Sequence, residues 1–319
     1  MKAGLPAQLD QAPLALRHPT RRRAFELAAA SVAGFRRVLD AKKFIEVSTP
    51  KIVGSSTEGG ANVFGIDYFG RPAFLAQSPQ FYKQMLVGVF ERVYEVGPVF
   101  RAEPHDTTRH LAQYTSLDVE FGFIDDHRSV MAVLRDVVAG MRAEAAERVG
   151  GELPEVPAEI PVIHFAEALD LISRATGEDV RAEPDLAPAH ERFLGEWART
   201  EHNSEFVFVT GYPMAKRPFY THPDPQRPEF SNSFDLLFRG VELVTGGQRL
   251  HNEADYRAAL RSRGEDAAPY ESYLQAFHFG MPPHGGFAIG LERWTARLTG
   301  AANIRETTLF PRDLHRLTP

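Results

Sequence analysis

Apolar positions along this chain follow two periods. Over residues 21–43, Phe25, Ala28, Val32, Phe35 and Leu39 recur in steps of three and four, the spacing of an amphipathic helix, and Thr20 is placed to cap it. Residues 44–53 alternate as a strand interrupted by Pro50, which suits an edge or an interface better than a sheet centre. Short strand-like runs follow at 63–69 and 73–76, then a helix over about 79–90. Residues 92–100 and 114–123 read as strands around a polar loop, AEPHDTTRHLAQ, longer than a tight hairpin needs. Helices are predicted over 128–149, 165–176 and 188–200, and strands over 205–210, 234–238 and 241–245. The tail reads as helices at about 253–263 and 268–279, a Gly-rich strand GGFAIGL, and a last helix from Glu292. Residues 1–20 are Pro-rich and read as an irregular leader or linker remnant, which leaves 21–319 as one domain. Hairpin strands with segregated helices predict an α+β fold, a mainly antiparallel sheet flanked by helices.

Composition narrows the class. A chain of 319 residues with 43% hydrophobic and 24% charged residues is an ordinary globular protein. It has no apolar run long enough to span a bilayer and no signal-peptide core at its start, so the expectation is a cytoplasmic protein without a membrane partner. The absence of cysteine excludes disulfides, thiolate metal sites and cysteine nucleophiles. A net charge of -6 gives no support to non-specific nucleic-acid binding, although a local basic face would suffice for an RNA partner. The cations are mostly Arg, which draws attention to each isolated Lys.

Four segments carry candidate chemistry. In VFRAEPHDTTRHLAQYTSLDVEF, Arg101 ends an apolar strand, where a guanidinium needs an anion, and Arg109 and His110 stand at the far side of the loop. Cations at such a lip suit a polyphosphate, and they equally fit a surface hairpin with structural ion pairs. In SFDLLFRGVELVTGGQRLH, Asp235 and Glu242 lie seven positions apart in apolar strands and call for Arg or Mg²⁺, or for a buried interstrand salt bridge. Thr245 precedes two glycines that let a backbone approach a ligand, and Arg249 follows. In HGGFAIGLERW, Arg293 falls at a helix start, against the macrodipole, unless an anion is shared there; a plain helix-surface Arg fits as well. Finally, Glu58 precedes two glycines in SSTEGGANVF, and Lys83 in QSPQFYKQ sits among apolar helix positions, where a Lys commonly snorkels to solvent.

Taken in order, these segments resemble the three motifs of class II aminoacyl-tRNA synthetases: the helix and strand ending at Pro50, FRAE with its loop and TSLDVEF, and GGFAIGLER. STEGG, QSPQFYKQ, EPHDTTRHL, GGQRLH and TLFPRDLHRLTP are similar to aspartyl-tRNA synthetases of the archaeal type, which some bacteria also carry. The resemblance covers residue 21 to the end and implies an ATP-dependent enzyme that makes aspartyl-adenylate and passes it to the acceptor end of tRNA.

The resemblance also implies roles. Arg101 would hold the α-phosphate and the substrate carboxylate, Glu103 the adenine amino group, and Arg109, His110, Leu111 and Gly290 the nucleotide. Arg293 would serve the γ-phosphate side, with Arg101 and Arg293 as the catalytic charges. Asp235 and Glu242, with Thr245, would bind Mg²⁺. Glu58 would take the α-ammonium of L-aspartate, and Gln80, Lys83, Thr245 and Arg249 would surround its side chain. Two cations facing one carboxylate would disfavour asparagine by a few kcal/mol, on the order of one badly paired buried charge. Relatives specific for asparagine lack the Lys of QSPQFYKQ. The family usually has Ser where this chain has Thr245, and a Ser-Gly-Ala run where this chain has its glycine pair. The first motif implies a homodimer. Family members carry an anticodon-binding OB-fold of roughly 100 residues before that motif, which the expected leader does not supply. Two other outcomes therefore stand beside tRNA charging: transfer of aspartyl-adenylate to ammonia or another acceptor, and a catalytically inactive binding module.

Overall fold

The computed structural model describes residues 3–54 and 62–318. Its first half holds helices α1 (Leu5–Asp10), α2 (Ala12–Ala15) and α3 (Pro19–Ala41), then strands β1 (Ile45–Glu46), β2 (Ile52–Val53), β3 (Gly65–Tyr68) and β4 (Arg71–Leu75). Next come α4 (Gln80–Phe90), β5 (Arg92–Phe100), β6 (Gln113–Gly122) and α5 (His127–Val149). The second half holds β7 (Val162–His164), α6 (Phe165–Thr176), α7 (Pro188–His202), β8 (Phe206–Thr210), β9 (Ser233–Phe238) and β10 (Val241–Gln248). It closes with α8 (Glu253–Ser262), α9 (Glu271–His278), β11 (His284–Gly290) and α10 (Leu291–Thr299).

An eight-stranded sheet runs β1-β5-β6-β11-β10-β9-β8-β7, and a small sheet runs β2-β4-β3. All pairings are antiparallel except β1 with β5 and β7 with β8. The α+β expectation therefore holds. Alternation in β6 sends Leu117, Val119 and Phe121 to the core, where Phe287 and Ile289 of β11 meet them beneath α3, α5 and α10. Each such side chain contributes about 1.5–3 kcal/mol by leaving water. Trp294 of α10 is fully buried there, and its indole donates to Ser31 Oγ of α3 at 2.8 Å. A second core joins α6 and α7 to β7 and β8. A third, built on Phe81, Phe219, Tyr256, Tyr273 and Phe277, supports α4 from beneath.

Several local expectations change. Residues 5–15 are helical: Pro6 and Pro13 occupy first-turn positions, where a missing N–H costs nothing. For the same reason α3 starts at Pro19, and its cap is His18, whose ring accepts from the Thr20 amide, instead of Thr20 itself. The strand expected over 44–53 is two strands in two sheets, parted at Pro50; β1 does lie at the sheet edge. β10 runs past the expected end at Thr245 because Gly247 and Gln248 face Gly286 and Gly285 across β11. The helix expected over 268–279 is a 3₁₀ turn, Ala268–Tyr270, followed by α9. The three-residue β7 is too short to announce itself by alternation. Among the described residues, no helix is long and apolar enough to cross a membrane.

Candidate active site

The face of the sheet opposite the main core forms the floor of a cavity of about 480 Å³. Register aligns Asp118, Ala288, Thr245 and Asp235 in one row across β6, β11, β10 and β9, and Glu120, Gly286, Gly247 and Ser233 in the next. Directly opposed residues share a face. The small residues of β11 leave room for the long carboxylates beside them: a Cβ on Gly286 would lie 2.2 Å from Glu120 Oε2.

One end of the cavity is buried and fully paired. Lys83 of α4 is 2% exposed, and its Nζ donates to Asp118 Oδ1 at 3.0 Å and lies 3.3 Å from Glu120 Oε2. Arg249 donates from Nε to Glu120 Oε1 at 3.0 Å and from Nη2 to the Gly286 carbonyl at 3.2 Å. Burial opposes the charge on Glu120, but Arg249 and Lys83 outweigh it and hold the carboxyl below its usual range. Burial likewise opposes the Arg249 charge, and Glu120 more than offsets it. Gln80 donates to Gln84 Oε1 at 3.0 Å. Gln84 in turn is held by Tyr256, Tyr273 and His284 at 3.0 Å each. Burial pushes the His284 imidazole down to about 4, so it is neutral at ordinary pH.

The other end is more open. Arg101 lies one residue past β5, and its amide extends the ladder by donating to the Ala112 carbonyl at 2.8 Å. The loop beyond it is pinned by the C-terminal segment: Arg305 donates to the Thr107 carbonyl at 3.0 Å and the Ile304 amide to the Thr108 carbonyl at 2.8 Å. Burial, reinforced by the Arg293, His105 and Arg109 charges, pushes His110 down to about 4, so it too is neutral. Arg109 donates to Glu191 at 3.1 Å. Arg293 donates to the Glu242 carbonyl at 2.7 Å and lies 3.3 Å from its Oε1.

Asp235 and Glu242 offer hard oxygen donors close to Thr245. Burial pushes the Asp235 carboxyl up to about 6 against the pull of Arg217, and the neighbouring Glu242 charge adds to the rise. Arg217 donates to Asp235 Oδ1 at 3.0 Å and stacks 4.1 Å above the Tyr212 ring. Among the described residues no three His, Asp or Glu side chains form a cage. Two carboxylates that repel each other beside an open cavity fit Mg²⁺, which takes one or two carboxylates and fills its shell with phosphate and water.

Gln80, Lys83, Arg101, Glu103, Arg109, His110, Leu111, Glu242, Thr245, Arg249, Gly290 and Arg293 all line the one cavity, and Asp235 is buried directly beside it. Glu58 lies outside the described residues. Sequence reasoning missed Asp118, Glu120, Glu191 and Arg217. For the first two a signal existed: carboxylates two apart in an apolar strand share a face and need cations. Nothing local marks Glu191, which pairs with Arg109 across 82 positions. The expected surplus of cations at the buried end needs correction, because Lys83 and Arg249 already have Asp118 and Glu120 as partners.

The family described as tRNA synthetases class II (D, K and N) matches residues 5–314. The chain is 47% identical to an aspartate–tRNA(Asp/Asn) ligase of Thermus thermophilus over 98% of its own length and 74% of that protein. It is 48% identical to a protein of the same name from Deinococcus radiodurans, with the same coverage. Among solved structures it resembles the asparaginyl-tRNA synthetase of Pyrococcus horikoshii complexed with asparaginyl-adenylate, with a TM-score of 0.93 at 31% identity, covering all of this chain and 74% of that one. It also resembles the aspartyl-tRNA synthetase of Entamoeba histolytica, with a TM-score of 0.88 at 35% identity, covering all of this chain and 64% of that one. Fold likeness alone thus spans both amino acids.

Proposed function

The chain belongs to the class II tRNA synthetases of the D, K and N group, and from that premise we propose how it activates L-aspartate with ATP and charges tRNA. The observation that carries the reading is the division of one cavity between a buried ion quartet and a more open set of arginines.

Charge counting at the buried end favours aspartate. Lys83 and Arg249 balance Asp118 and Glu120. An entering aspartate sets its α-ammonium against Asp118 and its side-chain carboxylate against Lys83 and Arg249, which keeps the group neutral. Asparagine brings the ammonium without the carboxylate and leaves one buried positive charge uncompensated, a cost of a few kcal/mol, on the order of a factor of 10² or more in kcat/KM.

Arg101, at the junction of the two ends, draws the substrate α-carboxylate to the α-phosphate. A carboxylate oxygen attacks phosphorus in line, a new P–O bond forms, and the bond to pyrophosphate breaks. The work is orientation and charge stabilisation, with no protein nucleophile. Glu103 reads the adenine, and Arg109, neutral His110 and Arg293 hold the departing phosphates. Asp235, Glu242 and Thr245 would hold Mg²⁺, which would supply Lewis-acid stabilisation of the phosphate charge. In the second half-reaction a terminal ribose hydroxyl of tRNA attacks the activated carbonyl, and AMP leaves.

We further infer a homodimer through α3 and β1: β1 ends the large sheet, and Ile45 of β1 and Ile52 of the nearby β2 are 44% and 47% exposed. Light scattering tests it; a monomer with full activity contradicts it. Labelled aspartate, ATP and unfractionated tRNA test the acceptor. Acid-precipitable aspartate is the expected product, whereas free asparagine formed from ammonia without tRNA would overturn the tRNA assignment.

A further inference from the structure

Glu191 belongs to none of the segments that carry the chemistry, yet its carboxylate joins two of them. It lies in the first turn of α7 with a side chain only 6% exposed. Both of its oxygens accept from Arg109 Nη1, at 3.2 and 3.1 Å, and Oε2 also accepts from the Glu242 amide at 2.9 Å. That amide sits where the register of β10 on β9 slips between Glu242 and Val244, and such a bulge withdraws a backbone group from the ladder. Close approach brings α7 within reach. A Cβ on Gly195 would lie 2.5 Å from the Gly240 amide nitrogen, and one on Gly240 would lie 2.9 Å from the Arg192 Cα.

We propose that Glu191 is a positioning residue for ATP: it orients Arg109 over the phosphate end of the cavity and braces the strand that carries Glu242. The proposal rests on the functional reading above. A buried carboxylate needs a cation, and Arg109 supplies it. With Nη1 committed to Glu191, Arg109 still lines the cavity. A side chain already held in its binding rotamer loses less freedom when the nucleotide arrives. The loop is tied on its far side through Thr107 and Thr108; Glu191 ties the side that faces ATP.

The test uses the full chain with Glu191→Gln, Glu191→Asp, Arg109→Gln and the Glu191→Gln/Arg109→Gln double variant. ATP affinity is read twice, as KM in aspartate-dependent pyrophosphate exchange and as Kd by calorimetry without aspartate. Glu191→Gln is expected to raise both by about tenfold while kcat and the aspartate KM stay within about twofold. Glu191→Asp, which keeps the charge but shortens the reach, should fall between it and the parent. The double variant should bind ATP no worse than Arg109→Gln alone, since both changes break the same contact. An ATP Kd that is unchanged or lowered in Glu191→Gln overturns the proposal, as do additive losses in the double variant. An equal loss of aspartate affinity and melting temperature in both Glu191 variants also overturns it, because that marks a structural role alone. A parent that binds ATP but shows no aspartate-dependent exchange removes the functional reading, and Glu191 is then judged on Kd.

Discussion

The two ends of the cavity solve opposite problems with the same residue types. At the amino-acid end, Lys83, Arg249, Asp118 and Glu120 are each 7% exposed or less and stand on a helix and strands backed by an aromatic core. At the nucleotide end, Arg109 and Arg293 have side chains 33% and 24% exposed, and each holds a single carboxylate at the cavity's edge. The first arrangement fixes charge so that a wrong substrate leaves it unbalanced. At the second, Arg293 can exchange its partly exposed partner Glu242 for a phosphate at small cost, while Arg109 stays paired with Glu191. Selectivity follows from the rigid end, and turnover of a highly charged cosubstrate from the adaptable one.

Breaking the rigid end should have the largest effect. Arg249→Met leaves Glu120 buried without its main partner, with an expected stability loss of about 3–5 kcal/mol in urea unfolding. Aspartate-dependent exchange should fall by about 10³-fold or more. Pairing Arg249→Met with Glu120→Gln should restore roughly half of the stability but not the activity. A double variant that activates aspartate normally would mean that the quartet is only structural.

Next in size is a pH effect from the same end. His284 titrates at about 4 in the folded protein against 6.5 for the free side chain. Between these values the unfolded chain holds the extra proton, so the stability His284 contributes is complete above pH 6.5 and is lost as pH falls toward 4. The expected loss is about 3 kcal/mol, and His284→Asn should flatten that part of a stability-versus-pH series. An unchanged slope would contradict the burial account.

At the adaptable end, Arg293→Ala should lower exchange by roughly 10²-fold through kcat and the ATP KM. Stability should shift by no more than about 0.5 kcal/mol, because the pair with Glu242 is partly exposed. A large melting shift with intact kinetics would reverse the contrast between the ends. The smallest change is Thr245→Ser, which keeps the hydroxyl that hydrogen-bonds Asp235 and removes one methyl; exchange should stay within about threefold. A larger drop would show that the methyl packs against the substrate or the metal.

Much of this was legible along the chain, for reasons that differ by element. β5 and β6 are long strands of nine and ten residues rich in apolar side chains, and α5 repeats its apolar face over 23, so they read clearly. β7, with three residues, offers no period to read. Prolines at 6, 13 and 19 looked like irregularity and turned out to start helices. The site residues inside contiguous motifs could be located because cations and carboxylates stand out in apolar strands. Glu191 and Arg217 could not, since each acts on a partner that only packing brings near. The state of charge at the buried end was also hidden: Lys83 and Arg249 read as available cations until register set Asp118 and Glu120 beside them.

The central claim is activation of aspartate at a charge-balanced buried end, and ATP–pyrophosphate exchange with purified protein tests it most directly. Aspartate and asparagine are compared, each with and without tRNA. The account predicts exchange with aspartate and a kcat/KM preference over asparagine of about 10² or more. No exchange with aspartate under any condition, or equal exchange with asparagine, would contradict it.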